Sequence, residues 1–344
     1  MSKRKIGIIT LNGYFNFGNR LQNYALTKVL EKKEFDVYTI WRKNKIEILK
    51  DIIKSNLFFI KKYKRFSRFY RFSKKNMKEI LNESNLDGLD YFVVGSDQVW
   101  NYKLIDKDKT WFFARGGKKT ISYSASLGTA EMPLEFKEKF YNMIKDYDAI
   151  SVREKSGESI INSLGYSREI KTLIDPTMLL DIEDWNECIK NVKLKLPKKY
   201  IFVYFLGNIS IDYKIQIEKF AKSNNCEIIN ILDEKNEFYD AGPMEFVYLI
   251  KNSFMVCTDS FHASVFSFLF DIPFVIFKRF GDGISNDLYT RLENLIKTFQ
   301  LENREFNGIE ITLDNLNNDY SKGHKILIDE KKKSHDFLDR NLIK

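Results

Sequence analysis

Short apolar segments alternate with amphipathic stretches along most of the chain, and this alternation restricts the fold more than any other feature. Lys5–Thr10, Asp36–Trp41 and Tyr91–Gly95 have the composition of buried strands, and Leu21–Lys32 has the spacing of a helix. The alternation resumes at Tyr200–Leu206. Strands that alternate with helices form parallel sheets with helices on both faces. We therefore predict an α/β protein with two Rossmann-like domains that face a common cleft.

The expected domain boundaries follow from length and from a shift in composition. A chain of 344 residues is too long for one ordinary core. A charged stretch at 181–199 separates the two series of strands. We predict an N-terminal domain at 1–185 with a basic helical excursion at 42–78, a C-terminal domain at 186–315, and a charged tail or helix at 316–344.

Positive charge is concentrated in the excursion at 42–78. It contains 14 basic and two acidic residues, a net charge of +12, whereas the whole chain carries +9. Aromatic residues interleave with these cations. Such a segment can bind an anionic membrane surface, an anionic glycan or a lipid diphosphate, or it can be a helix with a solvated charged face. These interpretations remain open, but nucleic acid is not an expected partner, because no known binding module accompanies the segment.

The sequence has no evident signal for secretion, membrane insertion or metal binding. No apolar run approaches the roughly 18 residues of a membrane span. The three cysteines are odd in number and widely spaced, which favours reduced thiols, and no CxxC or HxxxH pair occurs. We expect a cytoplasmic protein, located at the inner face of the membrane if the excursion binds lipid, with no metal and no cofactor.

Polar residues follow four of the predicted strands, at the sheet edge where such folds bind ligands. The candidates for binding or catalysis in these four loops are Asn16, Gly18, Asn19, Arg20, Asp97, Gln98, Trp100, Arg153, Asp259, Ser260 and His262. Each loop also has a structural interpretation, as a glycine turn, a helix cap, a surface ion pair or a structural histidine. The residues alone leave both interpretations open.

The side chains in these loops differ in the chemistry that they offer. Trp100 has a flat apolar face of the kind on which sugars stack, and Asp97 can accept a proton from a sugar hydroxyl. Arg153 can bind a carboxylate or phosphate through two N–H groups. Lys278 and Arg291 add cations downstream, which suits a small dianionic substrate.

Six ordered motifs resemble those of the polysaccharide pyruvyl transferase family. The motifs are Gly18–Leu26, Gly95–Asn101, Ser122–Gly128, Ser151–Glu154, Asp175–Thr177 and Thr258–His262. The resemblance implies a GT-B-like fold. It also implies transfer of enolpyruvate from phosphoenolpyruvate to a sugar diol of a cell-surface glycan or its lipid-linked precursor, which forms a pyruvate ketal and releases phosphate.

The resemblance also implies roles for individual residues. Arg153 matches the family's donor-site arginine, and His262 matches its histidine near the donor. Many members have an arginine where this chain has Ser260, so Lys278 or Arg291 would have to supply the missing charge. His262 is then the expected acid that protonates C3 of the enol.

A base and an acceptor site complete this expected mechanism. Asp97 or Asp259 would accept the hydroxyl proton. The residues expected to contact the acceptor are Asn16, Gly18, Asn19, Arg20, Gln98 and Trp100.

Two other functions remain open at this stage. A GT-B glycosyltransferase that uses a nucleotide sugar would share the fold and the basic cleft. A non-enzymatic, membrane-associated assembly protein would bind through 42–78. The missing arginine at position 260 favours the second of these, whereas Arg153 and His262 argue against it.

Overall fold

The chain folds into two units, each built around its own parallel sheet. The first unit comprises Met1–Leu57, Ser73–Leu180 and Asp329–Lys344, and the second comprises Phe58–Phe72 and Asp181–Ile328. The structure, a computed structural model, describes residues 3–41, 50, 60–81, 86–105, 117–279, 289–313 and 319–343. The alternating pattern in the sequence therefore predicted the class of fold correctly.

The first unit contains a five-stranded sheet with the order β3-β2-β1-β4-β5. Its strands are β1 (Lys5–Ile9), β2 (Asp36–Trp41), β3 (Lys78–Leu81), β4 (Tyr91–Val94) and β5 (Lys119–Ser122). All pairs are parallel, with Ile9 opposite both Ile40 and Val94. Because β2 and β4 lie on opposite sides of β1, the order of strands reverses direction between β1 and β4, and ligands of such sheets bind beyond the strand ends at this point.

Two further strands extend this unit. They are β6 (Ile150–Val152) and β7 (Ile170–Thr172), which pair in parallel. Single bridges from Ile121 to Ala149 and from Ala125 to Val152 connect this pair to the main sheet. The ends of β4, β5 and β6 are thereby brought side by side.

The second unit has a four-stranded parallel sheet with the order β11-β10-β8-β9. Its strands are β8 (Tyr200–Tyr204), β9 (Glu227–Asn230), β10 (Met255–Thr258) and β11 (Phe274–Ile276). Apolar side chains such as Val203, Cys257 and Val275 form a core against one face of the sheet. Here the strand order reverses between β8 and β10, so the loops after these two strands are the equivalent ligand position.

Eleven helices are assigned among the described residues. In chain order they are α1 (Phe17–Lys32), α2 (Ile60–Asn76), α3 (Tyr102–Ile105), α4 (Leu134–Ile144), α5 (Lys155–Ser163), α6 (Ile182–Ile189), α7 (Ile211–Ser223), α8 (Pro243–Lys251), α9 (Phe261–Leu269), α10 (Thr290–Phe299) and α11 (Ser321–Leu342). Short 3-10 turns lie at Leu86–Gly88, Pro176–Met178, Glu237–Asp240 and Glu302–Arg304. Helix α1 begins four residues before its predicted start at Leu21, because Asn16 caps it by accepting a hydrogen bond from the Asn19 backbone N–H at 3.0 Å.

The structure divides the chain differently from the predicted domains. The main boundary lies at 180/181 instead of 185/186, and two further segments belong to a different unit. Residues 329–344 of the predicted tail belong to the first unit, where Asp339 pairs with Lys33 and Lys331 donates to the Leu180 carbonyl at 3.1 Å. Phe58–Phe72, from the predicted excursion, belongs to the second unit. Residues 42–49 and 51–59 of that excursion lie outside the described residues.

Half of the cations of α2 bind groups of the second unit instead of facing solvent. Lys61 donates to the carbonyls of Glu234 and Asn236, and Arg65 donates to the Ile231 carbonyl at 3.2 Å. Burial lowers the pKa of Arg65. The other two are Lys62, which pairs with Glu234, and Arg68, which pairs with Asp240 and Glu245. Part of the basic segment therefore serves to hold α2 against the rest of the second unit.

Candidate active site

The candidate site of the first unit lies at the carboxyl ends of β1 and β4. A hydrogen-bonded chain connects the two loops that follow these strands. The Gln22 side chain donates to Thr10 Oγ1 at 2.9 Å and accepts from the Ser96 backbone N–H at 3.1 Å. Thr10 Oγ1 in turn donates to the Ser96 carbonyl at 3.1 Å. Gln22 and Thr10 therefore hold the loop after β4 in place, a positioning role that the sequence did not reveal.

Gly95 allows this loop to approach the neighbouring strand end. Its φ angle is +124°, and a Cβ atom at this position would lie 2.3 Å from the Tyr123 carbonyl oxygen. Any other residue would collide with that backbone atom, so the glycine of this motif is required by sterics.

Arg153 forms the centre of a buried ionic cluster beside this loop. Its Nη2 atom lies 2.7 Å from Asp175 Oδ2 and donates to Ser96 Oγ at 2.6 Å. Its Nη1 atom lies 3.8 Å from Asp97 Oδ1. The side chains of Arg153 and Asp175 are 2% and 0% exposed, and that of Asp97 is 9% exposed. The guanidinium is thus held between two carboxylates, and Asp97 is the more accessible of them.

Asp175 and Asp97 are fixed by further hydrogen bonds. Asp175 Oδ1 accepts from the backbone N–H and the hydroxyl of Thr177. Asp97 Oδ1 accepts from the Gln98 backbone N–H at 2.9 Å. The sequence identified the Asp175 motif but gave this residue no role, because its partner Arg153 is distant along the chain.

The loop after β1 is stabilised by Arg20, which is fully buried. Its guanidinium donates to the Leu11 carbonyl and to the side-chain oxygens of Asn12 and Asn19, and its Cζ lies 5.4 Å from the centre of the Trp41 ring. Burial lowers the pKa of Arg20 to about 10. All these hydrogen-bond acceptors are neutral, and Nη1 has no hydrogen-bond partner among the described residues.

These contacts correct the expectation that Arg20 touches the acceptor directly, because none of its surface is exposed. It shapes the loop and adds positive potential to it. Asn16 is exposed but caps α1, whereas Gly18 and Asn19 are buried in the first turn of that helix. Asn16 is thus the accessible member of this group.

Trp100 is a second correction. Its side chain is fully buried and packs edge-to-face against Phe140 and Tyr147. The ring is part of the core and has no exposed face on which a sugar could stack. Gln98, by contrast, is half-buried, and its amide lies against Gly128, where a Cβ atom would approach Nε2 to 2.4 Å.

Glu154 shapes the loop that contains Gly128. Its Oε1 atom accepts hydrogen bonds from the Ser126 hydroxyl at 3.0 Å and from the backbone N–H groups of Leu127 and Gly128 at 2.7 and 3.0 Å. Arg153 and Glu154 are both buried and have separate partners, so the surface ion pair that was the structural interpretation of this loop does not describe them.

The candidate site of the second unit lies after β8 and β10. Asp259 connects these two strand ends, since Oδ1 accepts from the Leu206 N–H at 2.7 Å and Oδ2 accepts from the Gly207 N–H at 2.8 Å. Arg279 donates to Oδ2 at 3.0 Å and to the Asp259 carbonyl at 3.2 Å. The Asp259 side chain is 0% exposed. Both oxygens are engaged, which corrects its expected role as a base: Asp259 is an anchor.

Ser260 and His262 open helix α9 beside this anchor. Ser260 is the N-cap residue, 3% exposed, and its backbone N–H donates to Thr258 Oγ1 at 3.0 Å. His262 lies in the first turn, 7% exposed, with its ring 5.2 Å from that of Phe261 and perpendicular to it. The imidazole is therefore at the N-terminus of a nine-residue helix.

The two cations expected to replace the missing arginine lie elsewhere in the second unit. Lys278 is exposed and pairs with Glu305 at 3.5 Å, on the edge of a cavity of about 530 Å³. Three carboxylates, those of Glu302, Glu305 and Glu310, line that cavity together with Lys278 and Arg304, so its lining has no excess of positive charge for a multiply charged anion. Arg291 is buried in the first turn of α10. The cation next to Ser260 is instead Arg279.

The comparisons with known proteins agree with these motifs. The sequence profile of the family described as polysaccharide pyruvyl transferase matches residues 16–279. The chain belongs to the polysaccharide pyruvyl transferase family. No curated protein sequence matches the chain.

Solved structures show the fold that this pyruvyl transferase family member shares with other enzymes. A glycosyltransferase from Rickettsia africae aligns with a TM-score of 0.50 and 10% identity, over 99% of each chain. A protein assigned as a UDP-N-acetylglucosamine 2-epimerase from Listeria monocytogenes aligns with a TM-score of 0.50 and 13% identity, over 98% of this chain and 90% of its own. The predicted GT-B-like architecture of two Rossmann-like units is confirmed.

The family match covers nearly every residue of both strand-end sites. Residues 16–279 include the buried cluster around Arg153, the anchor Asp259 and the helix start at His262, but they exclude Arg291. Among the described residues, no helix has the length and apolar character needed to span a membrane. In the same part of the chain, no group of three or more His, Cys, Asp or Glu side chains is arranged to hold a metal ion.

Proposed function

We propose that the protein transfers the enolpyruvyl group of phosphoenolpyruvate to two hydroxyls of a sugar in a surface glycan or its lipid-linked precursor. The products are a cyclic pyruvate ketal and inorganic phosphate. The observation that carries this proposal is the buried cluster of Arg153, Asp97 and Asp175 at the strand ends of a chain in this family. Such a cluster holds in a fixed position one carboxylate, that of Asp97, which is 9% exposed.

Asp97 is the proposed general base for the acceptor. Its carboxylate is the most accessible member of the cluster, and Arg153 and the Gln98 N–H orient it. A base in a fixed position accelerates proton transfer by about 10²–10⁴-fold. Arg153 acts through Asp97 and is therefore a positioning residue, whereas the sequence had suggested that it binds the donor.

His262 is the proposed general acid for the donor. The N-terminus of α9, where it lies, favours anions because its N–H groups and the helix dipole point outward. Arg279, adjacent to Ser260 through the Asp259 carbonyl, supplies the positive charge that Lys278 or Arg291 was expected to supply. These groups suit the carboxylate and phosphate of the donor.

The proposed reaction proceeds as an addition and then a substitution, both at C2 of the donor. His262 gives a proton to C3, which becomes a methyl group, and C2 acquires positive charge. The first sugar hydroxyl adds to C2 and loses its proton to Asp97. The second hydroxyl then adds to C2 as the C2–O bond to phosphate breaks, and its proton leaves with the phosphate.

The test compares two histidine variants of the full chain. Phosphate release from phosphoenolpyruvate is measured with a set of methyl glycosides that have free hydroxyl pairs as acceptors. We expect His262→Gln to lower the rate by at least about 100-fold, as for loss of a general acid. His324→Gln is the matched control, since His324 pairs with Asp271 and stacks on Phe268 away from the strand ends.

Two results would contradict the proposal. One is a His262→Gln variant with the wild-type rate. The other is release of nucleoside diphosphate from a nucleotide sugar together with no turnover of phosphoenolpyruvate, which is the outcome expected of a glycosyltransferase.

A further inference from the structure

Helix α2 has two faces of different chemistry. The face that packs on the second unit uses Lys61, Lys62, Arg65 and Arg68 to bind its carbonyl and carboxylate groups. The opposite face consists of exposed residues whose spacing of three or four places them together. They are Ile60, Tyr63, Lys64, Tyr70, Arg71 and Lys75. We call this set the outward face of α2.

The outward face combines positive charge with apolar surface. Ile60, Tyr63 and Tyr70 are 72%, 59% and 42% exposed. Helix α2 contains no acidic residue. Lys74, which is also exposed, forms an ion pair with Glu79 at 2.7 Å and is therefore excluded from the set. A merely solvated helix would have its apolar residues inward, so the exposed Ile60 and Tyr63 call for a different explanation.

We propose that the outward face docks the protein on the headgroups of an anionic phospholipid bilayer. Lys64, Arg71 and Lys75 complement the negative surface potential of such a membrane. Tyrosine prefers the boundary between headgroups and acyl chains, and the exposed Ile60 gains a hydrocarbon environment there. The inward contacts fix the rotation of α2 about its axis, so this surface is presented without any rearrangement.

The apolar component distinguishes a bilayer from other polyanions. A nucleic acid or an anionic glycan would neutralise the three cations but would leave the Ile60 side chain in water. The bilayer satisfies both parts of the outward face at once. This proposal does not depend on the reaction proposed above, and it would place the protein where a lipid-linked substrate is found.

The experiment measures binding of the full chain to vesicles by co-sedimentation at low ionic strength. The vesicles contain phosphatidylcholine alone or an equimolar mixture with phosphatidylglycerol. Each basic residue near an anionic surface strengthens partitioning by about 5-fold, so the combined substitution Lys64→Gln, Arg71→Gln and Lys75→Gln is expected to weaken binding by up to about 100-fold.

The matched control removes the same charge from another exposed helix of the second unit. It combines Lys214→Gln, Lys219→Gln and Lys222→Gln in α7, where all three side chains are exposed. This variant is expected to bind the mixed vesicles nearly as well as the wild type. Ile60→Ser is expected to weaken binding to vesicles while leaving binding to heparin unchanged.

Several results would overturn the proposal. They are absence of wild-type binding to the mixed vesicles, equal loss in the α2 and α7 variants, and undiminished binding by the α2 variant. Binding of the wild type to heparin or to single-stranded DNA, without binding to vesicles, would assign the surface to a soluble polyanion. Thermal unfolding of each variant checks that the substitutions leave the fold intact.

Discussion

Replacement of Arg153 by methionine is expected to destabilise the first unit. The guanidinium is 2% exposed, and its ion pair with Asp175 spans 2.7 Å, with the carboxylate fully buried. Removal of one member of a buried pair leaves the other charge uncompensated, which costs about 3–5 kcal/mol. Asp175 keeps its two hydrogen bonds from Thr177, so we expect the free energy of unfolding to fall by about 3 kcal/mol, the lower end of this range. In a domain of this size that corresponds to a fall in Tm of about 6–12 °C.

The assay is thermal and urea unfolding followed by circular dichroism. A double-mutant cycle with Asp175→Asn should give a coupling free energy of about 2 kcal/mol between the two side chains. Lys155→Met is the matched control, because the Lys155 side chain is 73% exposed and pairs with Glu158 at the surface. It should leave Tm unchanged. An Arg153→Met variant with the wild-type Tm that fails to bind phosphoenolpyruvate would refute the positioning role and make Arg153 a ligand-binding cation.

Two further predictions concern Arg279 and Asp36. Arg279→Gln should raise KM for phosphoenolpyruvate more than it lowers kcat, because it removes positive charge beside the helix start at Ser260. The neighbouring Lys278→Gln is the control and should leave KM unchanged. Equal effects of the two substitutions in steady-state kinetics would contradict this assignment. Burial opposes ionisation of Asp36, but hydrogen bonds from Lys78 and Tyr38 outweigh it and lower its pKa below the usual 3.8. The ionised carboxylate therefore stabilises the fold above that pH, and this stability is lost as pH falls through the lowered pKa. Asp36→Asn should remove this pH-dependent contribution to the free energy of unfolding, which is at most about 1 kcal/mol at such a surface site. Acid unfolding curves that coincide for the wild type and the variant would contradict this prediction.

Hydrophobic pattern predicted the strands well because it is a local property. The bounds of β2 were predicted without error, and those of β1 and β4 to within a residue. Strand β3 was not predicted. It is only four residues long and carries Lys78 and Glu79, so it lacks the apolar composition of a buried strand. Its pairing with β2 decides its conformation.

The sequence did not predict which residues that are distant along the chain contact each other. The motifs included Ser96, Asp97, Arg153 and Asp175, but they did not show that the Asp175 carboxylate binds the Arg153 guanidinium. Trp100 was expected to contact the acceptor because it has a flat apolar face and lies in a polar loop after a strand. Its true environment comes from Phe140 and Tyr147, which the fold brings to it.

The contacts of the basic segment at 42–78 also could not be predicted from the sequence. Composition established that residues 42–78 are cationic, but charge alone does not separate the side chains that bind protein groups from those that face outward. Lys62 and Lys64 are two positions apart, yet one pairs with Glu234 and the other is exposed. The helical periodicity of α2 separates these two groups of side chains only when it is known which face of the helix packs against the protein.

The most direct test of the proposed reaction follows the carbon atom at C2 of the donor. The protein is incubated with phosphoenolpyruvate labelled with ¹³C at C2 and with the methyl glycosides, and the products are examined by ¹³C NMR. We expect a new resonance of a quaternary ketal carbon bonded to two sugar oxygens, formed in equal amount with phosphate. Label that remains in phosphoenolpyruvate or appears only in free pyruvate would contradict it.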